Sequence, residues 1–217
     1  MTRLVLVPGL ATDARVFHPQ SAAFPHLEVP VWREPRRDES LRDYAARLAA
    51  GIRPDGPIVL GGLSIGGMIA LEMARHLPVR RVVLIASCRH PRAVNRPLRA
   101  AERITRPWPT AWYRPLLPLA PLVVGRGGSI RREDRRLLGR MAQEVPLDII
   151  RWGARALLQW PGVERLSVPV SHIHGGRDWV IPARGVSPDV VVPCGSHVLT
   201  LSHPREVNEF LRVCFDR

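Results

Sequence analysis

Lysine is missing from this 217-residue chain: all 32 basic residues are arginines, set against 19 acids. So complete a bias reads as genome composition, and arginine content by itself assigns no function. Cysteine is scarce too. Cys88, Cys194 and Cys214 are odd in number, widely spaced and without a CxxC pair, which argues against a disulfide framework and a zinc ribbon and leaves reduced thiols as the expectation. No apolar run approaches the ~18 residues that span a bilayer. The opening "MTRLVLVPGL" meets proline before it builds the apolar stretch of roughly 7–15 residues that a secretory signal needs. A cytoplasmic protein without a transmembrane segment is expected. Repeats and low-complexity tails are absent, and 46% hydrophobic content is enough for one ample core.

What is present is an alternation of strand and helix patterns. "RLVLV" (3–7) is a short apolar run stopped by Pro8-Gly9, and "LEVPVW" (27–32) is a weaker strand in which Pro30 suits an edge or a bulge. Residues 40–51 form a helix pattern that Ser40 can cap and Gly51 stops. "PIVLGG" (57–62) and "RRVVLIAS" (80–87) read as strands flanking a helix over 64–77. "VPVSHIH" (168–174) and "DVVVP" (189–193) add two strands, and Pro204 opens a final helix over 204–215. Strands and helices in this order predict an α/β fold with a mostly parallel sheet of about six strands. Residues 89–164 break the pattern. They are rich in proline, hold four of the six tryptophans and show no strand, so they predict a helical cap inserted into a core formed by 1–88 and 165–217.

Between the strand at 57–62 and the following helix stands Gly62-Leu63-Ser64-Ile65-Gly66. A G-x-S-x-G corner in a strand–turn–helix setting holds its serine out on a strained turn, and a Cβ at Gly62 or Gly66 would collide with the neighbouring strand or helix. A serine hydroxyl needs a base to become a useful nucleophile. His197 in "CGSHVL" is the candidate base, and Asp178 in "HIHGGRDWVIP" is the acid that would orient it; the chain order Ser64, Asp178, His197 is the one this fold requires. The backbone amides of Leu10 and Ile65 are the candidate oxyanion donors. His203 is a second candidate base, but its place before Pro204 at a helix start favours a structural role. His172 and His174 share one side of a strand and could ligate zinc, although no third ligand accompanies them. No metal or organic cofactor is expected.

The segments "PGLATDARVF", "GLSIGG", "HGGRD" and "GSH", in this order, resemble the α/β-hydrolase superfamily over nearly the whole chain outside the cap. The pattern is most similar to small esterases with a helical lid, including the pimeloyl-ACP methyl ester esterases of biotin synthesis, which carry a stretch like "LIASC" at the same place. The resemblance implies cleavage of a carboxylic ester by acyl transfer through Ser64, with Cys88 near the pocket wall and not reactive. A thioesterase acting on acyl-CoA or an acyl carrier protein, and a homologue that binds a ligand without turnover, are the alternatives. Two departures stand out. Pro8-Gly9 replaces the usual His-Gly before a donor that is in any case a backbone group. Residues 182–188 leave room for barely one turn where a full helix is usual, which predicts a more open rim near His197.

The cap carries two further expectations. Trp108, Trp112, Trp152 and Trp160 either line an acyl-binding cavity or form the cap's own core. Residues 88–165 hold 16 arginines against six acids, a focus of charge that either is a solvated face or attracts an acidic partner such as an acyl carrier protein, a CoA phosphate or a membrane surface. No nucleic-acid-binding motif is present.

Overall fold

Strands that are apolar at every position need cover on both faces. The computed structural model, which describes residues 2–128 and 130–216, shows how this chain supplies it. From β1 (Arg3–Val7) the chain passes through α1 (His18–Ala23) and α2 (Leu41–Ala49) to β2 (Ile58–Leu63), α3 (Ile65–Met73) and β3 (Val79–Ile85). The helices α4 (Arg96–Thr105), α5 (Ala120–Val124), α6 (Arg132–Glu144) and α7 (Leu147–Gln159) follow before β4 (Val170–Gly175) and β5 (Val190–Val192), and α8 (Leu199–Ser202) and α9 (Pro204–Asp216) end the chain. The five strands are all parallel and stand side by side in chain order.

The pleat sorts the core. Leu4 and Leu6 of β1 join Val59, Val83 and Ile85 beneath α8 and α9, while Val5 and Val7 join Ile58, Leu60 and Leu84 beneath α2 and α3. α2 begins where Ser40 accepts a hydrogen bond from the Asp43 amide at 3.1 Å.

The stretch 27–32 yields one bridge and no strand. Glu28 pairs with Val5, exchanging backbone bonds with Leu4 and Leu6 at 2.9 Å, and the ladder stops there. Pro30 has no N–H to continue it, and the Trp32 indole turns away to donate to the Thr12 carbonyl at 2.8 Å.

Between β3 and β4 the described residues contain helices and turns but no strand. This segment, the insertion expected from the sequence, is tied to the sheet and its flanking helices by side chains. Trp152 packs on Tyr44, ring centroids 4.3 Å apart, and donates to the Glu39 carbonyl at 2.8 Å. The Trp160 indole donates at 2.8 Å to Glu72, a fully buried carboxylate that also faces Arg75 and Arg42. Arg155 pairs with Asp38 at 3.0 Å, and Arg15 pairs with Asp13 and with Glu144 at the end of α6.

Candidate active site

β2 ends at Leu63 and α3 begins at Ile65, so one residue must make the whole turn. That residue, Ser64, takes φ 55° and ψ −125°, a region costly to any side chain, by about 1–3 kcal/mol. The surroundings hold it there. Its amide donates to the Ile85 carbonyl at 3.0 Å, and its carbonyl accepts from the Gly67 amide at 3.0 Å and the Ser87 hydroxyl at 2.6 Å. Two side chains must be absent for so tight a corner. A Cβ on Gly62 would enter the backbone of Gly66, and one on Gly66 would enter the carbonyls of Val7 and Pro8 at the end of β1.

The Ser64 Oγ lies 2.8 Å from Nε2 of His197, and Nδ1 of His197 lies 2.8 Å from Oδ2 of Asp178. The other oxygen of Asp178 accepts from the amides of Val180 and Ile181 at 2.8 and 2.9 Å, so the carboxylate is fixed and one oxygen is left to face the imidazole. His197 and Asp178 are buried; Ser64 is partly exposed. Three residues 133 positions apart at the extremes thus form one hydrogen-bonded chain. His203, the other candidate base, instead meets the Ser202 hydroxyl at 3.0 Å.

Ile65 is the first residue of α3, so its amide belongs to the helix end that has no internal acceptor. The Leu10 amide likewise donates to no group among the described residues. The loop that carries it is a tight turn in which Thr12 closes back on the Gly9 carbonyl through its hydroxyl, at 2.8 Å, and its amide, at 3.2 Å. Asp13 accepts from the Arg15 amide at 2.9 Å, and its hydrogen bonds with the Arg15 guanidinium hold its carboxyl below the usual range. α7 comes down on this loop at Gly153, where a Cβ would run into the Leu10 side chain.

Behind the acid lies the histidine pair that shares one side of β4, with His174 packed beside the acid loop. His174 sits 3.4 Å from Asp178 Oδ2, donates through Nε2 to the Ile181 carbonyl at 2.8 Å and meets Nε2 of His172 at 3.0 Å. Burial, then the neighbouring His174 and Arg89, pushes His172 down to about 3, and burial also lowers His174, so both rings are neutral. Among the described residues no third metal-ligating side chain joins them. Ser87 is a residue that sequence reasoning missed; its position directly before Cys88 in "LIASC" is the available signal.

Cys88 is buried in the core cluster, and burial, with the charge of Asp178 adding to it, pushes its thiol up to about 12. The four insertion tryptophans are dispersed. Trp108 and Trp112 meet edge to face at 5.8 Å, while Trp152 and Trp160 line a cavity of about 220 Å³ at the start of α2. None of the four bonds to or stacks on Ser64, Asp178 or His197. The segment 182–188 contains a single 3₁₀ turn, Ala183–Gly185. The expected open rim is nevertheless covered: Arg126 stacks on Trp179 at 4.7 Å, Gly128 packs on Ser196, and Asn95 bonds to the carbonyls of Trp179 and Val180 at 2.8 and 2.9 Å.

Residues 4–210 match the alpha/beta hydrolase family, and the chain belongs to it. No curated protein matches the chain. Among solved structures, it is similar to a thermophilic esterase from Thermogutta terrifontis (20% identity, TM-score 0.73, 99% of this chain and 89% of that one covered). It is also similar to an esterase from Exiguobacterium antarcticum (14%, 0.76, 99% and 92%) and to an N-acyl homoserine lactone degrading enzyme, Est816 (20%, 0.70, 98% and 93%). At these identities the likeness is one of fold.

Proposed function

We propose that this chain is a serine hydrolase that cleaves carboxylic esters by acyl transfer. The observation that carries the reading is the continuous chain from Ser64 Oγ through His197 to Asp178, with both links at 2.8 Å. His197 accepts the Ser64 proton at Nε2 as Oγ attacks the ester carbonyl. Asp178, accepting from Nδ1–H, fixes the tautomer and stabilises the imidazolium without taking the proton. The Leu10 and Ile65 amides receive the oxyanion, helped by the positive end of α3. When the intermediate collapses, His197 returns the proton to the departing alkoxide. Water then repeats the sequence on the acyl-enzyme, with His197 again as base, releasing the acid and restoring Ser64.

The candidate acyl site is the cleft of about 560 Å³ beside the loop that carries Leu10, between Pro8 and Asp13 on one side and Val145, Pro146 and Ile149 on the other. A panel of p-nitrophenyl esters tests both points. Ser64→Ala lowers kcat by about 10⁴-fold or more, and Ile149→Trp, which narrows the cleft, removes activity on the longest acyl chains first. Equal slow hydrolysis by wild-type and Ser64→Ala protein at every chain length would overturn the assignment.

A further inference from the structure

Of the nine large apolar side chains exposed among the described residues, five lie between β3 and β4, and Val31, Val190, Val191 and Val213 lie elsewhere. Ile104, Trp112, Leu116, Leu119 and Leu122 all belong to the insertion, with Trp112 58%, Leu119 50% and Leu122 54% exposed. Residues 110–119 form a 3₁₀ helix, in which side chains three apart eclipse, so Leu116 and Leu119 form one ridge that Leu122 continues into α5. Exposed apolar residues scattered singly need no explanation, but a contiguous ridge does.

The ridge borders a basic groove. A groove of about 1020 Å³ runs between α5 and α6, lined by Leu122 and by Arg132, Arg135, Arg136 and Arg140, with Glu133 as its one acid. These arginines are exposed and have no ion-pair partner among the described residues. Two arginines of α7 are engaged: Arg151 bonds to Thr110 and to the Arg106 carbonyl, and Arg155 pairs with Asp38. Four arginines without an ion-pair partner among the described residues therefore line the groove that the apolar ridge borders.

We infer that this face docks on the surface of an anionic phospholipid bilayer. The ridge enters the boundary between headgroups and acyl chains, and the guanidinium groups pair with lipid phosphates, for which their planar fork is suited. A nucleic acid would account for the arginines while leaving Trp112, Leu116 and Leu119 in water; a bilayer takes both, with phosphates for the guanidinium groups and acyl chains for the ridge. No helix among the described residues is long and apolar enough to cross a membrane, so the association is peripheral. The inference uses no property of Ser64 and stands apart from the proposed chemistry.

The test is co-sedimentation of the full chain with vesicles of phosphatidylcholine alone, or of phosphatidylcholine and phosphatidylglycerol in equal parts. Binding is expected to the anionic vesicles only and to weaken with salt. Replacing one arginine lowers partitioning about fivefold, so Arg132→Glu with Arg136→Glu lowers it at least 25-fold by the same rule; Leu119→Ser with Leu122→Ser abolishes it. Ser64→Ala partitions as wild type. Should a variant fold poorly by circular dichroism, the wild-type protein still decides the matter: lipids brominated in the acyl chain quench its tryptophan emission, and Trp112→Phe removes most of that quenching. Equal binding to neutral vesicles, no binding to anionic ones, or capture of an acidic acyl carrier protein through these positions while vesicles are ignored would overturn the proposal.

Discussion

At Ser64 one unfavourable torsion is opposed by three hydrogen bonds, and the strongest by geometry comes from a residue that never meets substrate. Ser87 donates to the Ser64 carbonyl at 2.6 Å from a fully buried position. Its removal leaves that carbonyl with the Gly67 amide alone, so Ser87→Ala should destabilise the protein by about 1 kcal/mol. It should also lower kcat more than it raises KM, because the proposed nucleophile loses orientation while the proposed binding cleft is untouched. Denaturant titration and steady-state kinetics on a soluble ester read the two effects separately. A second buried contact, Trp160 to Glu72, is purely structural. Trp160→Phe keeps the ring and deletes the donor, which costs about 1–3 kcal/mol for a buried carboxylate oxygen left with less company, with kcat near wild type.

Elements explain why the corner was readable from sequence and the insertion was not. β2, the turn and α3 are determined by neighbours a few residues away: apolar run, glycines, apolar helix. The five strands and α2, α3 and α9 follow from patterns of that local kind, while α1 and α8 are not read from them. The stretch 27–32 failed to become a strand because its fate depends on an indole reaching Thr12, some twenty residues back. The insertion is governed almost wholly by such distant partners, Trp152 with Tyr44 and Glu39, Trp160 with Glu72, Arg15 with Glu144. Its tryptophans look alike in sequence and differ only in what they reach. The rim at 182–188 is similar: the shortened segment was legible, but its cover by residues 95 and 126–128 was not. α7 meets the proposed oxyanion loop at Leu10. Gly153→Val places a side chain against Leu10, and strain from overpacking of about 1–3 kcal/mol should be relieved by moving α7 or the loop. A fall of tenfold or more in kcat/KM, with a smaller loss in Tm than Trp160→Phe gives, is the expected result.

For the whole molecule, the buried titratable groups bound the pH range of stability. His172 and His174 are neutral when folded and would be protonated below their ordinary value near 6.5 when unfolded, so the unfolded chain binds more protons as pH falls from there. Asp13 and Glu28, whose carboxyls are lowered chiefly by hydrogen bonds to Arg15 and Arg3, and Glu39, lowered by Arg47 against the opposing effect of burial, add a loss in the same direction below the usual carboxylate range. Cys88 acts at the other end: the folded thiol keeps its proton up to about 12, so stability falls as pH rises above 9. Stability should therefore peak between about 6.5 and 9 and decline on acidification by about 1.4 kcal/mol per pH unit for each histidine involved. Urea midpoints from pH 7 to pH 4 check this, and His172→Gln should flatten the acid limb whatever it does to the midpoint at pH 7.

The central claim concerns the hydroxyl of one residue and the base beside it, and covalent trapping reads it most directly. Incubated with a fluorophosphonate, the protein should gain one equivalent of label, found by peptide mapping on Ser64, and His197→Gln should react far more slowly while keeping its fold. Label on another residue such as Ser87 or Ser196, or equal labelling with and without the imidazole, would contradict the account.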